Sequence, residues 1–160
     1  MQARGYSLIE MIVVICVISI LLAIATLRFS DYLKSYRKEA QTRMFYDELL
    51  RARANALYQR RDTRVKLYTD RFEVYSSLID CDTGVAPIVS QSLPFPVTWN
   101  NSGNNVDFDE RGLAQNNGSI CVASGDGASA VDSVVIYNTR ISIGIKGKDD
   151  ECNSDNIKTK

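Results

Sequence analysis

The chain reads as an α+β fold: one long N-terminal α-helix, its first half membrane-spanning, packed on antiparallel β-sheet. Three observations predict it. Residues 6–27 are apolar with a single charge, Glu10. Residues 28–61 contain neither proline nor glycine and repeat apolar side chains every three or four positions. After Asp62 the repeat shortens toward two, the period of a strand.

The apolar run comes first. From Tyr6 to Leu27 it would reach about 33 Å as a helix, enough to cross a hydrocarbon core of about 30 Å. A carboxylate in such a segment is costly, which makes Glu10 a functional residue by expectation. Two plainer readings compete. One is a secretory signal peptide with Arg4 before the apolar stretch and Ala23-Ile24-Ala25 as a cleavage site; the other is a simple anchor with a stray acid. Glu10 would weaken insertion of a signal peptide, and the run exceeds the usual core of about 7–15 residues.

The helix is expected to continue from residue 28 to Arg61 as an amphipathic extension. Phe29, Tyr32, Leu33, Tyr36, Ala40 and Met44, then Phe45, Leu49, Ala52 and Ala56, describe one stripe. The whole helix from Tyr6 would be roughly 84 Å long. Its second half needs a partner for that stripe, and a sheet later in the chain is the obvious one.

Residues 62–145 form the expected β-rich head. Val65-Lys66-Leu67-Tyr68 and Phe72-Glu73-Val74-Tyr75, separated by Thr69-Asp70-Arg71, read as a hairpin. A polar loop containing Cys81 and Pro87 follows. Further strands are expected at Val97–Trp99, Val106–Phe108, Ile120–Val122, Val134–Tyr137 and Ile141–Ile145, with turn-rich breaks at 100–105, 115–118 and 124–130. A helix followed by successive antiparallel strands is an α+β arrangement. The tail, 146–160, is charged and expected to be poorly ordered.

Net charge is zero but unevenly spread. Residues 28–71 hold 12 Lys/Arg against 6 Asp/Glu, and residues 72–160 hold 6 against 12. Either basic stalks face acidic heads between subunits, or this is an ordinary solvated surface. Cys16 lies in the apolar run; Cys81, Cys121 and Cys152 lie beyond it. In an oxidising compartment one bridge is expected, Cys121–Cys152 or Cys81–Cys152, the alternative being three reduced thiols. There is no histidine and no C-x-x-C, and no D-x-D-x-D-G loop for calcium. No metal or cofactor is therefore expected.

Gly5, Tyr6, Ser7, Leu8 and Glu10 resemble the processing site of type IV prepilins and pseudopilins, G-[FY]-[ST]-L-x-E before an apolar helix. That resemblance implies a leader of residues 1–5, cleavage by a prepilin peptidase between Gly5 and Tyr6, and methylation of the new Tyr6 amine. Glu10 becomes the fifth mature residue, the position the family uses for assembly. The implied location is the inner membrane in a single pass, N-terminus cytoplasmic and head periplasmic, before incorporation into a pilus or pseudopilus. Arg4 agrees with that orientation, whereas Arg28, Lys34, Arg37 and Lys38 pull against it.

Later segments sharpen the resemblance. Leu50-Arg51-Ala52-Arg53-Ala54-Asn55-Ala56-Leu57, Val65-Lys66-Leu67, Phe108-Asp109-Glu110-Arg111-Gly112 and the strands around Arg140 look, in that order, like the GspH/FimT group of minor pilins and minor pseudopilins. In that group the helix packs against two small sheets, the type IV pilin-like fold. Many major pilins carry a helix-kinking proline in the apolar segment; here the first proline is Pro87. The implied role is a structural subunit of a type IV pilus or a type II secretion pseudopilus, at or near its tip. Its partners would be the peptidase, other pilins and the inner-membrane assembly platform.

Two rivals remain. Some members of the group bind DNA through a basic G-R-x-R-like segment near the C-terminus. Here Asn138-Thr139-Arg140-Ile141-Ser142 lacks the glycine and the second arginine, and Asp149, Asp150 and Glu151 follow Lys146 and Lys148. Since nucleic-acid affinity accumulates from phosphate contacts, this acidic head is not expected to bind DNA. An enzyme would need paired carboxylates such as Asp107 with Asp109 and Glu110, or Asp80 with Asp82. Alternation puts Asp107 and Asp109 on a wet face, and no histidine is present to activate a serine. A structural, non-catalytic protein is the expectation.

Overall fold

The computed structural model describes residues 7–79, 84–100, 103–123, 129–147 and 150–160. Helix α1, Leu8–Gln59, has 52 residues, about 78 Å. Ser7 precedes it in an extended conformation, and its carbonyl accepts the Glu10 and Met11 amides. At the far end Arg60 turns left-handed (φ 49°, ψ 49°), so that the Arg60 and Arg61 amides both donate to the Ala56 carbonyl. This closes the last turn two residues before the expected Arg61.

Among the described residues nine strands follow: β1 Thr63–Leu67, β2 Arg71–Tyr75, β3 Val89–Ser92, β4 Val97–Asn100, β5 Asn105–Phe108, β6 Gly118–Val122, β7 Ser133–Ile136, β8 Ile141–Lys146 and β9 Ile157–Thr159. They form two antiparallel sheets in the orders β3-β2-β1-β5 and β4-β6-β7-β8-β9. The architecture is the α+β one expected from the change of period at residue 62.

Helix and sheets share one apolar core. Phe45, Leu49, Ala52 and Ala56 pack against Val65, Leu67, Phe72, Val106 and Phe108 of the first sheet and Ile120, Val134 and Ile136 of the second. Phe45 meets Phe72 edge to face, with ring centroids 4.9 Å apart. At the near end of the head Gln41 clamps the chain: its Nε2 donates to the Phe95 carbonyl at 2.7 Å, and its Oε1 accepts the Phe95 amide at 2.9 Å. Such a two-way bond satisfies a buried side-chain amide and a strand-linking peptide together.

Three expectations change. The helix has two stripes, not one: Met44 and Phe45 are adjacent, and one residue rotates the helix by about 100°. The stripe from Phe45 onward enters the core and Met44 packs half-buried against it, whereas Phe29, Tyr32 and Tyr36 stay exposed. The loop after β2 contains β3, an edge strand whose residues are mostly exposed. The described part of the tail, 150–160, is ordered rather than loose. Ser154–Asn156 makes a 3-10 turn capped by the Asn153 side chain, and β9 then extends the second sheet through Gly144↔Thr159, Ile145↔Lys158 and Lys146↔Ile157. Burial of Ile157 and the added strand hydrogen bonds outweigh the segment's charge.

Candidate assembly site

The first half of α1 projects free of the head. Leu8, Ile9, Met11 and Ile12 are all more than half exposed, and the segment is long and apolar enough to cross a membrane. Within this surface Glu10 sits in the first helical turn. There its charge complements the partial positive charge of the helix N-terminus. It has apolar neighbours on both sides, Ile9 and Met11, and is itself exposed. Gly5 and Tyr6, the expected cleavage and methylation positions, lie outside the described residues.

Other sequence-singled residues resolve into structural roles. Cys121 of β6 and Cys152 are joined by a disulfide with Cα atoms 5.9 Å apart, and Ser119 Oγ donates to the Cys152 carbonyl at 3.1 Å. Cys81, Asp80 and Asp82 lie outside the described residues, and Cys16 is an exposed thiol on the apolar helix. Asp107 is not on a wet face. It is 7% exposed and sits opposite Arg64 in the β1–β5 register. The Arg64 guanidinium donates to it twice, at 2.8 and 2.9 Å, and Asn105 Nδ2 donates at 2.7 Å. Cross-strand pairing, invisible to alternation, supplies the partners that make burial of this carboxylate tolerable.

Asp109 caps a tight turn, accepting the Arg111 and Leu113 amides at 3.0 and 2.8 Å. The Leu113 amide, followed by those of Arg111 and its side chain, outweighs partial burial and holds the Asp109 carboxyl below its ordinary value. Asp107 and Asp109 are thus spent on separate structural tasks, and Glu110 is exposed. Glu73 belongs to a third cluster. Burial pushes its carboxyl up, but hydrogen bonds from Tyr75, Arg71 and Tyr68 and the Arg71 charge outweigh it, leaving the carboxyl below its ordinary value. Among the described residues no group of three or more His, Cys, Asp or Glu side chains could hold a metal ion.

The basic residues considered for DNA are not gathered. Arg140 and Lys146 lie just before and at the end of β8, about 20 Å apart at strand spacing. The Lys146 ammonium donates to the Gly147 and Asp150 carbonyls. Lys148 lies outside the described residues.

Residues 1–26 match the prokaryotic N-terminal methylation motif. The fold is similar to crystal structures of the type IV minor pilin FimU of Pseudomonas aeruginosa strain PAO1. One crystal form aligns with a TM-score of 0.53 at 13% identity, over 70% of this chain and 91% of FimU. The chain thus carries the N-terminal methylation motif on a type IV pilin-like fold. A second crystal form of FimU aligns with a TM-score of 0.50 at 15% identity, over 65% of this chain and 90% of FimU. No curated protein matches the sequence. In this pilin-like chain the methylation motif and the free half of α1 coincide, so the Glu10 surface is the candidate assembly site. Sequence reasoning missed the Gln41 clamp because a glutamine interrupting an apolar stripe carries no periodic signal.

Proposed function

We propose that the chain is a minor pilin or minor pseudopilin: a structural subunit inserted in the membrane as a precursor, trimmed before Tyr6, methylated there, and assembled at or near the tip of a short filament. The observation that carries this reading is Glu10. It is the one carboxylate of residues 6–27, it is exposed on the apolar part of the helix, and it lies inside the methylation motif. The folded likeness to a minor pilin supports the minor branch.

The chemistry of assembly follows. Packed among apolar helices, the Glu10 carboxylate loses its water, and so does the amine released at Tyr6 of a neighbouring subunit. Pairing them offsets both losses and sets the axial register between subunits. Removing one partner leaves the other buried and uncompensated, at roughly 3–5 kcal/mol. Everything after Leu27 would then face the periplasm.

Two measurements test this. Mass spectrometry of the mature chain should find a methylated amine on Tyr6. Glu10→Val should remain membrane-inserted yet be absent from sheared filaments; normal incorporation of that variant would sink the proposal.

A further inference from the structure

An open sheet leaves the backbone groups of its outermost strands without neighbours, and proteins usually cover or guard such edges. The two sheets of this head have four edges: β3, β5, β4 and β9. The outer side of β5 is covered by the turn after it, where the Gln115 amide donates to the Asp107 carbonyl at 2.8 Å. The outer side of β4 meets the β1–β2 turn, where the Val97 amide donates to the Thr69 carbonyl at 3.0 Å. β9 carries Lys158, with Lys160 just beyond it, and lysine on an edge deters a further strand. Among the described residues β3 has neither kind of protection.

Its ladder shows which groups are free. Val89 pairs with Val74 and Gln91 with Phe72, and the Leu93 amide donates to the Asp70 carbonyl at 2.7 Å. Alternation along an antiparallel strand therefore turns the Ser90 and Ser92 amides outward. Both residues are exposed, and no residue from Gly84 to Asn100 is charged. Beside this edge lies a cleft of about 400 Å³, walled by Tyr36, Arg37, Ala40 and Met44 of α1 and by Gln91 and Ser92 of β3. The first sheet thus stops short of the second helix stripe: Tyr36 is 62% exposed and Met44 only half-buried. One more strand would stand about 4.8 Å beyond β3 and turn every second side chain toward that stripe. Arg37 adds a charge. Its helical neighbours three and four positions away are Leu33, Lys34, Ala40 and Gln41, none of them acidic, and among the described residues it makes no ion pair.

We propose that β3 is a docking edge for an extended segment of a partner protein. The segment adds a fifth strand to the first sheet, seats an apolar side chain in the cleft against Ala40 and Met44, and places a carboxylate at the Arg37 guanidinium. Backbone pairing supplies affinity in such a mode, and the cleft supplies selectivity. A second copy of this chain is the poorer occupant. Paired antiparallel through β3 in one continuous sheet, two copies would point their α1 helices in opposite directions, whereas two chains standing in one membrane point the same way. That exclusion rests on the membrane-stored reading; the docking edge itself rests on the fold.

The test uses the full chain in detergent and an acetylated hexapeptide, Thr-Val-Thr-Leu-Thr-Asp, as the probe. Hydrogen exchange is read at Ser90 and Ser92. With peptide at about ten times its Kd, exchange there should slow about tenfold. Ser90→Pro removes the outward amide while leaving the pairing with β2, and should abolish the protection. Arg37→Gln should weaken binding about two- to fivefold. Trp99 fluorescence confirms that both variants are folded. Four results would each overturn the proposal: no protection at millimolar peptide, equal protection in Ser90→Pro, equal binding of the reordered peptide Val-Leu-Thr-Thr-Thr-Asp, or a dimer in sedimentation that Ser90→Pro dissolves. Peptide binding needs no membrane, so its failure leaves the membrane-stored reading standing, and alkaline extraction tests that reading separately.

Discussion

Breaking the Cys121–Cys152 bond should cost the head a large part of its stability. The two residues are 31 apart in sequence, and closing a loop of that length in the unfolded chain contributes roughly 3–4 kcal/mol by the chain-entropy relation. Small domains have only about 5–15 kcal/mol in hand. For a head of this size the midpoint should fall on the order of 10–20 °C. Local geometry says where the loss begins. Cys152 leads into the 3-10 turn and β9, so without the bond the last strand is held by its pairing with β8, the buried Ile157, the Ser119 hydroxyl and the Lys160 ammonium on the Ala130 carbonyl. The assay is thermal unfolding of the full chain in detergent, followed by the single tryptophan. Trp99 lies on β4 opposite Ile120, the residue before Cys121. The wild type with and without reductant should be compared with the Cys121→Ala, Cys152→Ala double variant, since serine at the buried position 121 would add a hydroxyl cost of its own. An unchanged midpoint on both routes would refute the reasoning.

Leu49 is fully buried at the helix–sheet junction, so Leu49→Ala should destabilise by about 3–5 kcal/mol in urea unfolding, whereas the half-exposed Leu57→Ala should cost less than about 1 kcal/mol. A β-carbon at Gly144 would stand 2.5 Å from Ile157 Cγ2 and 2.7 Å from the Lys158 carbonyl oxygen. Gly144→Ala should therefore displace β9, costing about 1–3 kcal/mol and exposing amides 157–159 to hydrogen exchange while the rest of the second sheet stays protected. Glu73 has its folded pKa depressed below the ordinary 4.5, so its contribution is present above that value and lost as pH falls through the folded one. Glu73→Gln should be less stable than wild type at neutral pH, and the two urea midpoints should converge as the pH falls from 4.5 through the lower folded value; parallel curves would contradict the assignment.

Much of the fold was legible because local periodicity encodes it. The helix needs only its run free of glycine and proline and its apolar spacing, and its end was expected within two residues. The hairpin β1–β2 and the strands β4 to β8 are short apolar or alternating segments bounded by turn residues. β3 and β9 escaped notice for a shared reason. Both are edge strands, mostly polar, and they form by pairing with a neighbour already in place. Asp107 was misjudged in the same way: the Arg64 that neutralises it is 43 residues away in sequence and adjacent only across β1 and β5.

By itself, the sequence determined the methylation motif, the apolar span with its solitary Glu10, the length of α1 and the switch from helical to strand period. These are properties of neighbours along the chain. Only the tertiary structure decided which of two helical stripes the head covers, which cysteine meets Cys152, and that a charged tail completes the second sheet. Each of those depends on the approach of groups far apart in sequence. A rotation of about 100° between Met44 and Phe45, or a Cα separation of 5.9 Å across 31 residues, exists only once the sheets have closed on the helix.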